Sequence, residues 1–237
     1  MSSFLRPIQA LQDFFNLLLP QCCLACGLPL VKGEELICLG CHYRMPRTRF
    51  ESYRDNPVAR LFWGRIPVEN AVSYFRYFRG SPYQGLIHAL KYAERKDAGT
   101  ELGRLLGIEI RDSGFACCDL IIPVPLHRVK QLRRGYNQCD PICMGLSRSL
   151  GIKWQSGALV KIHQSSSQTD KSRIRRWSNV QGAFRVIAPD VIRDRHILLV
   201  DDVVTTGSTL ESCANAILGL PGTRISIATL AFSPKAF

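Results

Sequence analysis

Short apolar runs alternate with longer stretches of helical period along most of this chain. AVSYFRYF at 71–78 alternates apolar and polar residues and reads as a strand. SPYQGLIHALKYAERKDAGTELGRLLG then carries apolar positions at helical spacing, and the pattern predicts two helices broken near Asp97–Gly99. DLIIPVP at 119–125 is a short buried strand, and the segment after Gly135 a helix reaching about Ser149 and ended by Gly151. ALVKI (158–162), AFRVI (183–187), HILLV (196–200) and RISIATLAF (224–232) follow as strands, with a helix from about Ser208 to Leu218 between the last two. Strands alternating with helices predict an α/β fold built on a mostly parallel sheet, here over 71–237.

The remaining stretches lack that order. Phe4, Ile8, Leu11, Phe15 and Leu18 recur at helical spacing and predict an amphipathic helix over 1–19, docked on the rest of the protein. Asp13 and Asn16 interrupt its apolar part, which argues against a signal peptide. No apolar run approaches the roughly 20 residues that a membrane span needs. Residues 46–70, with three prolines, read as a connector, and 163–181 (HQSSSQTDKSRIRRWSNVQ) as a long polar loop.

Cysteine usage adds a small module at 20–45. Of ten cysteines, five lie in CCLACGLPLVKGEELICLGC, where Cys23/Cys26 and Cys38/Cys41 form two CxxC pairs separated by eleven residues. Two thiolates across such a turn grip one face of a zinc ion, and a second pair closes the tetrahedron. With all four positions filled by protein, the zinc is expected to be structural. Cys22 offers a second register and His42 a substitute ligand, but the CxxC chelate favours Cys23. Many cysteines without a secretion signal point to a reducing, cytoplasmic compartment. Cys117, Cys118, Cys139, Cys143 and Cys213 are expected to be buried packing residues.

Charge narrows the partner. The formal charge is +12, and between Arg128 and Arg195 fourteen Lys/Arg face four Asp, a net of +10 in one segment. So concentrated a basic region implies an anionic partner: a polyphosphate metabolite, nucleic acid or acidic lipid.

HILLV delivers Asp201 and Asp202 to the carboxyl edge of the sheet, where ligands of such folds bind. Carboxylates accept hydrogen bonds from vicinal hydroxyls. The following Thr205, Thr206, Gly207, Ser208 and Thr209 stand where the next helix begins, and its free amides, hydroxyls and dipole suit a phosphate. A diol binder followed by a phosphate cradle describes a ribose 5-phosphate site.

VDDVVTTGST resembles the phosphoribosyl pyrophosphate (PRPP) motif of type I phosphoribosyltransferases. PVPLHRVKQLRRGYNQ (123–138), SQTDKSRIRRWSNVQGAF (167–184) and the double CxxC together resemble the ComF family, also called GntX-like or competence-type phosphoribosyltransferase-like proteins, over roughly residues 20–232. The resemblance implies a Rossmann-like type I phosphoribosyltransferase fold with a small N-terminal zinc module. It implies ribose binding by the acid pair, 5-phosphate binding by the TTGST turn, and a pyrophosphate loop containing Leu126, His127, Arg128, Arg133 and Arg134. There Gly135 is expected to start the next helix, and Mg²⁺ to bridge pyrophosphate oxygens. It also implies a loop closing over PRPP, with Lys171, Arg173, Arg176 and Asn179. The resemblance implies that Lys91, at another family position, faces the ligand, although a lone helical lysine is expected to be solvated. Thr205 stands where purine-salvage enzymes carry an acid, which argues against 6-oxopurine acceptors. No glutaminase domain or C-terminal hood is expected, so the zinc module and 42–70 are the candidate lid over the acceptor.

Three functions fit these features. One is a PRPP-dependent transferase of nucleoside metabolism with an unidentified acceptor. Another is a single-stranded DNA-binding competence protein, working with DNA-uptake machinery, in which Tyr136 and Trp177 stack on bases. The third is a PRPP-sensing regulator. An oligomer is compatible with each.

Overall fold

The computed structural model describes residues 20–78, 80–92, 95–162 and 182–233. The segment 1–19 and the loop 163–181 lie outside the described residues, and with them Lys171, Arg173, Arg176, Trp177 and Asn179. The elements run α1 (Leu39–Arg44), α2 (Pro57–Arg60), β1 (Ala71–Arg76), α3 (Gln84–Tyr92), α4 (Lys96–Ile110), β2 (Leu120–Pro123), α5 (Arg128–Arg134), α6 (Cys139–Leu150), β3 (Leu159–Lys161), β4 (Phe184–Val186), α7 (Pro189–Ile192), β5 (His196–Val204), α8 (Ser208–Leu218) and β6 (Arg224–Phe232).

β1, β6, β5 and β2 form one sheet in that order, every pair parallel. The two inner strands are buried almost throughout, which is why HILLV and RISIATLAF read as apolar runs rather than alternating ones. Register sets Pro123 beside Val200, and Val204 beside Phe232 beside Arg76, so the carboxyl ends of all four strands open on one side. Neither edge is bare. Residues 46–48 run along β1 through Arg76 N–H to Pro46 O (2.8 Å) and Thr48 N–H to Tyr74 O (3.1 Å). Residues 153–155 run along β2 through Ile121 N–H to Lys153 O (2.9 Å) and Gln155 N–H to Ile121 O (3.0 Å). Covered edges remove a template for strand-to-strand aggregation.

α4 and α6 pack closely because glycines remove the side chains between them. A Cβ at Gly103 would lie 2.2 Å from the Ile142 carbonyl oxygen, and one at Gly145 2.0 Å from that of Thr100. The helices therefore touch backbone to backbone.

Three expectations need correction. Asp97–Gly99 lies in the first turn of α4 rather than at a break. Gly135 does not open a helix: at φ 78° it is the left-handed C-cap of α5, its N–H bonded to Gln131 O, and α6 begins only at Cys139. β3 and β4 do not join the parallel sheet but pair antiparallel with each other.

Candidate phosphoribosyl site and cysteine knuckle

Asp201 and Asp202, expected at the exposed carboxyl edge beyond HILLV, lie inside β5 and are buried, at 8% and 6% exposure. Asp201 Oδ1 accepts from Asp202 N–H (2.9 Å) and lies 3.5 Å from the Cys139 thiol. Burial, and then the charge of Asp202, push the Asp201 carboxyl up to about 8. Asp202 Oδ1 accepts from Val203 N–H at 2.8 Å, and its Oδ2 lies 3.0 Å from Lys91 Nζ. Lys91 is thus paired rather than solvated. The two acids are unequal: one faces an ammonium, the other a thiol that burial holds strongly protonated.

Past the strand, Thr205 and Ser208 are exposed and Gly207 turns the chain at φ 75°. Gly207, at the N-cap of α8, supplies no side-chain cap to the first amides of that helix. Asp201 and every residue from Val203 to Leu210 line a small polar concavity there. Part of the connector backs this turn. A Cβ on Gly207 would meet Phe62 at 2.9 Å, Arg65 donates to Thr206 O (3.2 Å), and Arg65 pairs with Glu211.

Because β2 pairs with β5, the loop after Pro123 lies beside the acid pair. Asn137 anchors it, donating to Val124 O at 3.1 Å and accepting from Cys139 N–H at 3.3 Å. His127 accepts from Val129 N–H at 3.3 Å and so caps α5. α5 buries no residue fully: Arg128 and Arg133 are exposed, and Arg134 donates to Gln138 Oε1 at 3.0 Å. Leu126 and Arg128 line a cavity of about 510 Å³ with Asp140, Lys161 and Arg185. Burial raises the Asp140 carboxyl to about 6 and lowers Lys161. The sequence reading missed Asn137 and Asp140, which follow the loop into α6, and Lys161 and Arg185, which the β3–β4 pair brings to it. Tyr136, expected to stack on bases, is buried and donates its hydroxyl to Leu90 O at 2.6 Å.

Cys23, Cys26, Cys38 and Cys41 converge, their sulfurs all within 4.8 Å of one another. The Cys26–Cys38 separation of 3.8 Å matches the edge, about 3.8 Å, of a tetrahedron with zinc–sulfur bonds of about 2.3 Å. Cys38 N–H donates to Cys23 Sγ (3.3 Å) and Cys41 N–H to Cys38 Sγ (3.4 Å). At Cys23 burial opposes ionisation, yet the backbone amides of Cys26, Cys38 and Ala25 outweigh it and bring the thiol down to about 6. Burial and the neighbouring thiols push Cys41 up to about 12. One thiolate forms readily, whereas four need a cation among them, so this donor set fits zinc. Cys22 turns away to Pro20 O, and His42 Nε2 lies 2.9 Å from Arg47 Nη2, so neither joins the cluster. Cys117 is exposed, contrary to the packing role expected of it, while Cys118, Cys139, Cys143 and Cys213 are buried.

Among the described residues no helix is long and apolar enough to cross a membrane. The phosphoribosyl transferase domain family matches residues 139–236, and with the parallel sheet this defines the class: a phosphoribosyltransferase domain carrying an N-terminal cysteine module compatible with zinc. The chain is 34% identical over 215 residues to DNA utilization protein YhgH of Escherichia coli K12, covering 85% of this chain and 92% of that protein. It is 33% identical over 155 residues to competence protein F of Haemophilus influenzae, covering 63% of this chain and 68% of that one. The chain belongs to the ComF family, which these relatives represent. A distant structural likeness, with TM-score 0.42 and 17% identity over 60% of this chain, links it to the B. subtilis glutamine PRPP amidotransferase, of whose length it spans 30%.

Proposed function

We propose that this protein binds PRPP across the carboxyl ends of β5 and β2 and transfers its phosphoribosyl group to an acceptor. The observation that carries the reading is the run from a buried acid pair into an uncapped helix start, with a basic loop on the neighbouring strand. Asp201 and Asp202 take the ribose hydroxyls, and Thr205–Thr209 take the 5-phosphate through backbone amides and hydroxyls. Leu126, His127, Arg128, Arg133 and Arg134 line the pyrophosphate end, and the family resemblance assigns Lys171, Arg173, Arg176 and Asn179, outside the described residues, to the loop that covers PRPP. Mg²⁺ brought with PRPP would neutralise charge at the pyrophosphate end, while Asp202 keeps Lys91 as its counter-charge. The C1–O bond breaks with its electron pair leaving on pyrophosphate, the acceptor's lone pair forms the new bond to C1, and the acceptor's proton passes to water. Cations around the leaving group supply most of the rate enhancement.

The names of the relatives favour work in DNA utilisation or competence, and a cytoplasmic setting suits PRPP. A second reading, single-stranded DNA binding without turnover, draws on α5, whose exposed Arg128, Lys130 and Arg133 flank exposed Val129 and Leu132. A sensor that holds PRPP without consuming it is the third. Incubation with PRPP, Mg²⁺ and a panel of nucleobases and amines, read by pyrophosphate release, tests the transfer. Tight PRPP binding with no release against any acceptor would favour the sensor. No PRPP binding, together with salt-sensitive DNA binding, would favour the second reading.

A further inference from the structure

Lys91 stands in the last turn of α3, its ammonium 3.0 Å from Asp202 Oδ2. The lysine side chain is 27% exposed and the carboxylate 8%, so water competes weakly for either. Oδ1 of Asp202 accepts from Val203 N–H, and the buried Oδ2, which has no hydrogen-bond partner, has Lys91 as its counter-charge.

α3 is itself held at both ends. At its start a Cβ on Gly85 would lie 2.1 Å from the carbonyl oxygen of Leu24, the neighbour of Cys23, and the Tyr83 hydroxyl donates to Cys41 O at 2.9 Å. The helix thus rests directly on the cysteine knuckle. At its end Leu90 O accepts from the Tyr136 hydroxyl at 2.6 Å, tying it to the chain leaving α5.

We propose that Lys91 is a positioning residue for Asp202, and that the cysteine knuckle sets its place through α3. The proposal rests on the reading of the acid pair as the ribose site. It gives the N-terminal module a part in that site as the abutment of the helix that carries Lys91.

Two measurements separate the contact from the ligand reading. In the free protein the ¹⁵N-resolved signal of the Lys91 ammonium is expected in wild type and in Asp201→Asn, and lost in Asp202→Asn. A signal unchanged in Asp202→Asn overturns the contact. Calorimetric titration with PRPP and Mg²⁺ then tests the role. Lys91→Met is expected to weaken binding at least tenfold, with part of the loss recovered by Lys91→Arg. Gly85→Ala, which forces α3 off the knuckle, and the milder Tyr83→Phe are expected to weaken binding in the same direction with zinc content unchanged. Wild-type or tighter affinity in Lys91→Met overturns the proposal, and wild-type affinity in both Gly85→Ala and Tyr83→Phe overturns the part given to the knuckle. A wild-type protein that shows the Lys91 signal yet binds no PRPP overturns the ribose role and leaves the contact standing.

Discussion

Asp201 and Asp202 are adjacent in sequence and opposite in surroundings. Because burial against Cys139 raises the Asp201 carboxyl while Asp202 faces Lys91, asparagine should replace the first gently and the second badly. At pH 7, Asp202→Asn is expected to cost about 1.5–3 kcal/mol of PRPP affinity and Asp201→Asn less than about 1 kcal/mol. Calorimetry on the two single variants checks the order, and equal losses would remove the asymmetry. The raised carboxyl of Asp201 also has a sign in folding. Its folded value of about 8 stands above the ordinary 3.8, so the native state holds the proton more tightly than the unfolded chain does. That stabilisation is complete below about pH 4 and is lost as pH rises through 8. Asn cannot ionise, so urea unfolding should show Asp201→Asn gaining on wild type from pH 4 to 8, by on the order of a few kcal/mol. The acid pair was legible because an apolar strand running into carboxylates leaves a local signature. Its partner Lys91 was not, since nothing local to a helical lysine records what stands across the sheet.

At the level of elements, the two central strands and α8 followed from their own residues. α5 did not, because a helix without a fully buried residue leaves no apolar period to read, and its terminal glycine passed for the start of the next element. Gly99, Gly103 and Gly107 do carry a local signal, a spacing of four on one helical face, and the α4–α6 contact is its cause. Gly103→Ala is therefore expected to destabilise the fold by about 1–3 kcal/mol or more, since the obstructing Ile142 carbonyl is backbone and cannot swing away. A lowered urea midpoint at unchanged slope is the result that fits. Gly207→Ala meets both a left-handed φ of 75° and the Phe62 ring at 2.9 Å, and should distort the turn enough to weaken inorganic phosphate and PRPP binding together.

At the scale of the whole molecule, a cysteine module and an α/β domain were legible in the residues, but not how they meet. The knuckle lies against α3, which carries Lys91, while the connector runs along β1 and backs the phosphate turn. Those contacts join residues far apart in sequence, and no periodicity announces them. Zinc supplies on the order of 10 kcal/mol in small modules of this kind. Cys38→Ser should therefore lower zinc below one atom per chain and broaden thermal unfolding, as elemental analysis and calorimetry would record. Protein purified without chelator and devoid of zinc would remove the metal from this account.

The two ends of the proposed PRPP site differ in how finished they are. The phosphate turn is braced by Phe62, Arg65 and α8, whereas α5 is one short helix with no fully buried residue, capped by His127 and Gly135. A helix of that length is marginal in water on its own. An arriving ligand therefore finds one end ready and must assemble the other, which gives the encounter a direction: anchor first, enclosure second. Ribose 5-phosphate, which lacks the pyrophosphate, should then associate about as fast as PRPP and escape much sooner, a difference that stopped-flow traces would place almost wholly in the off-rate.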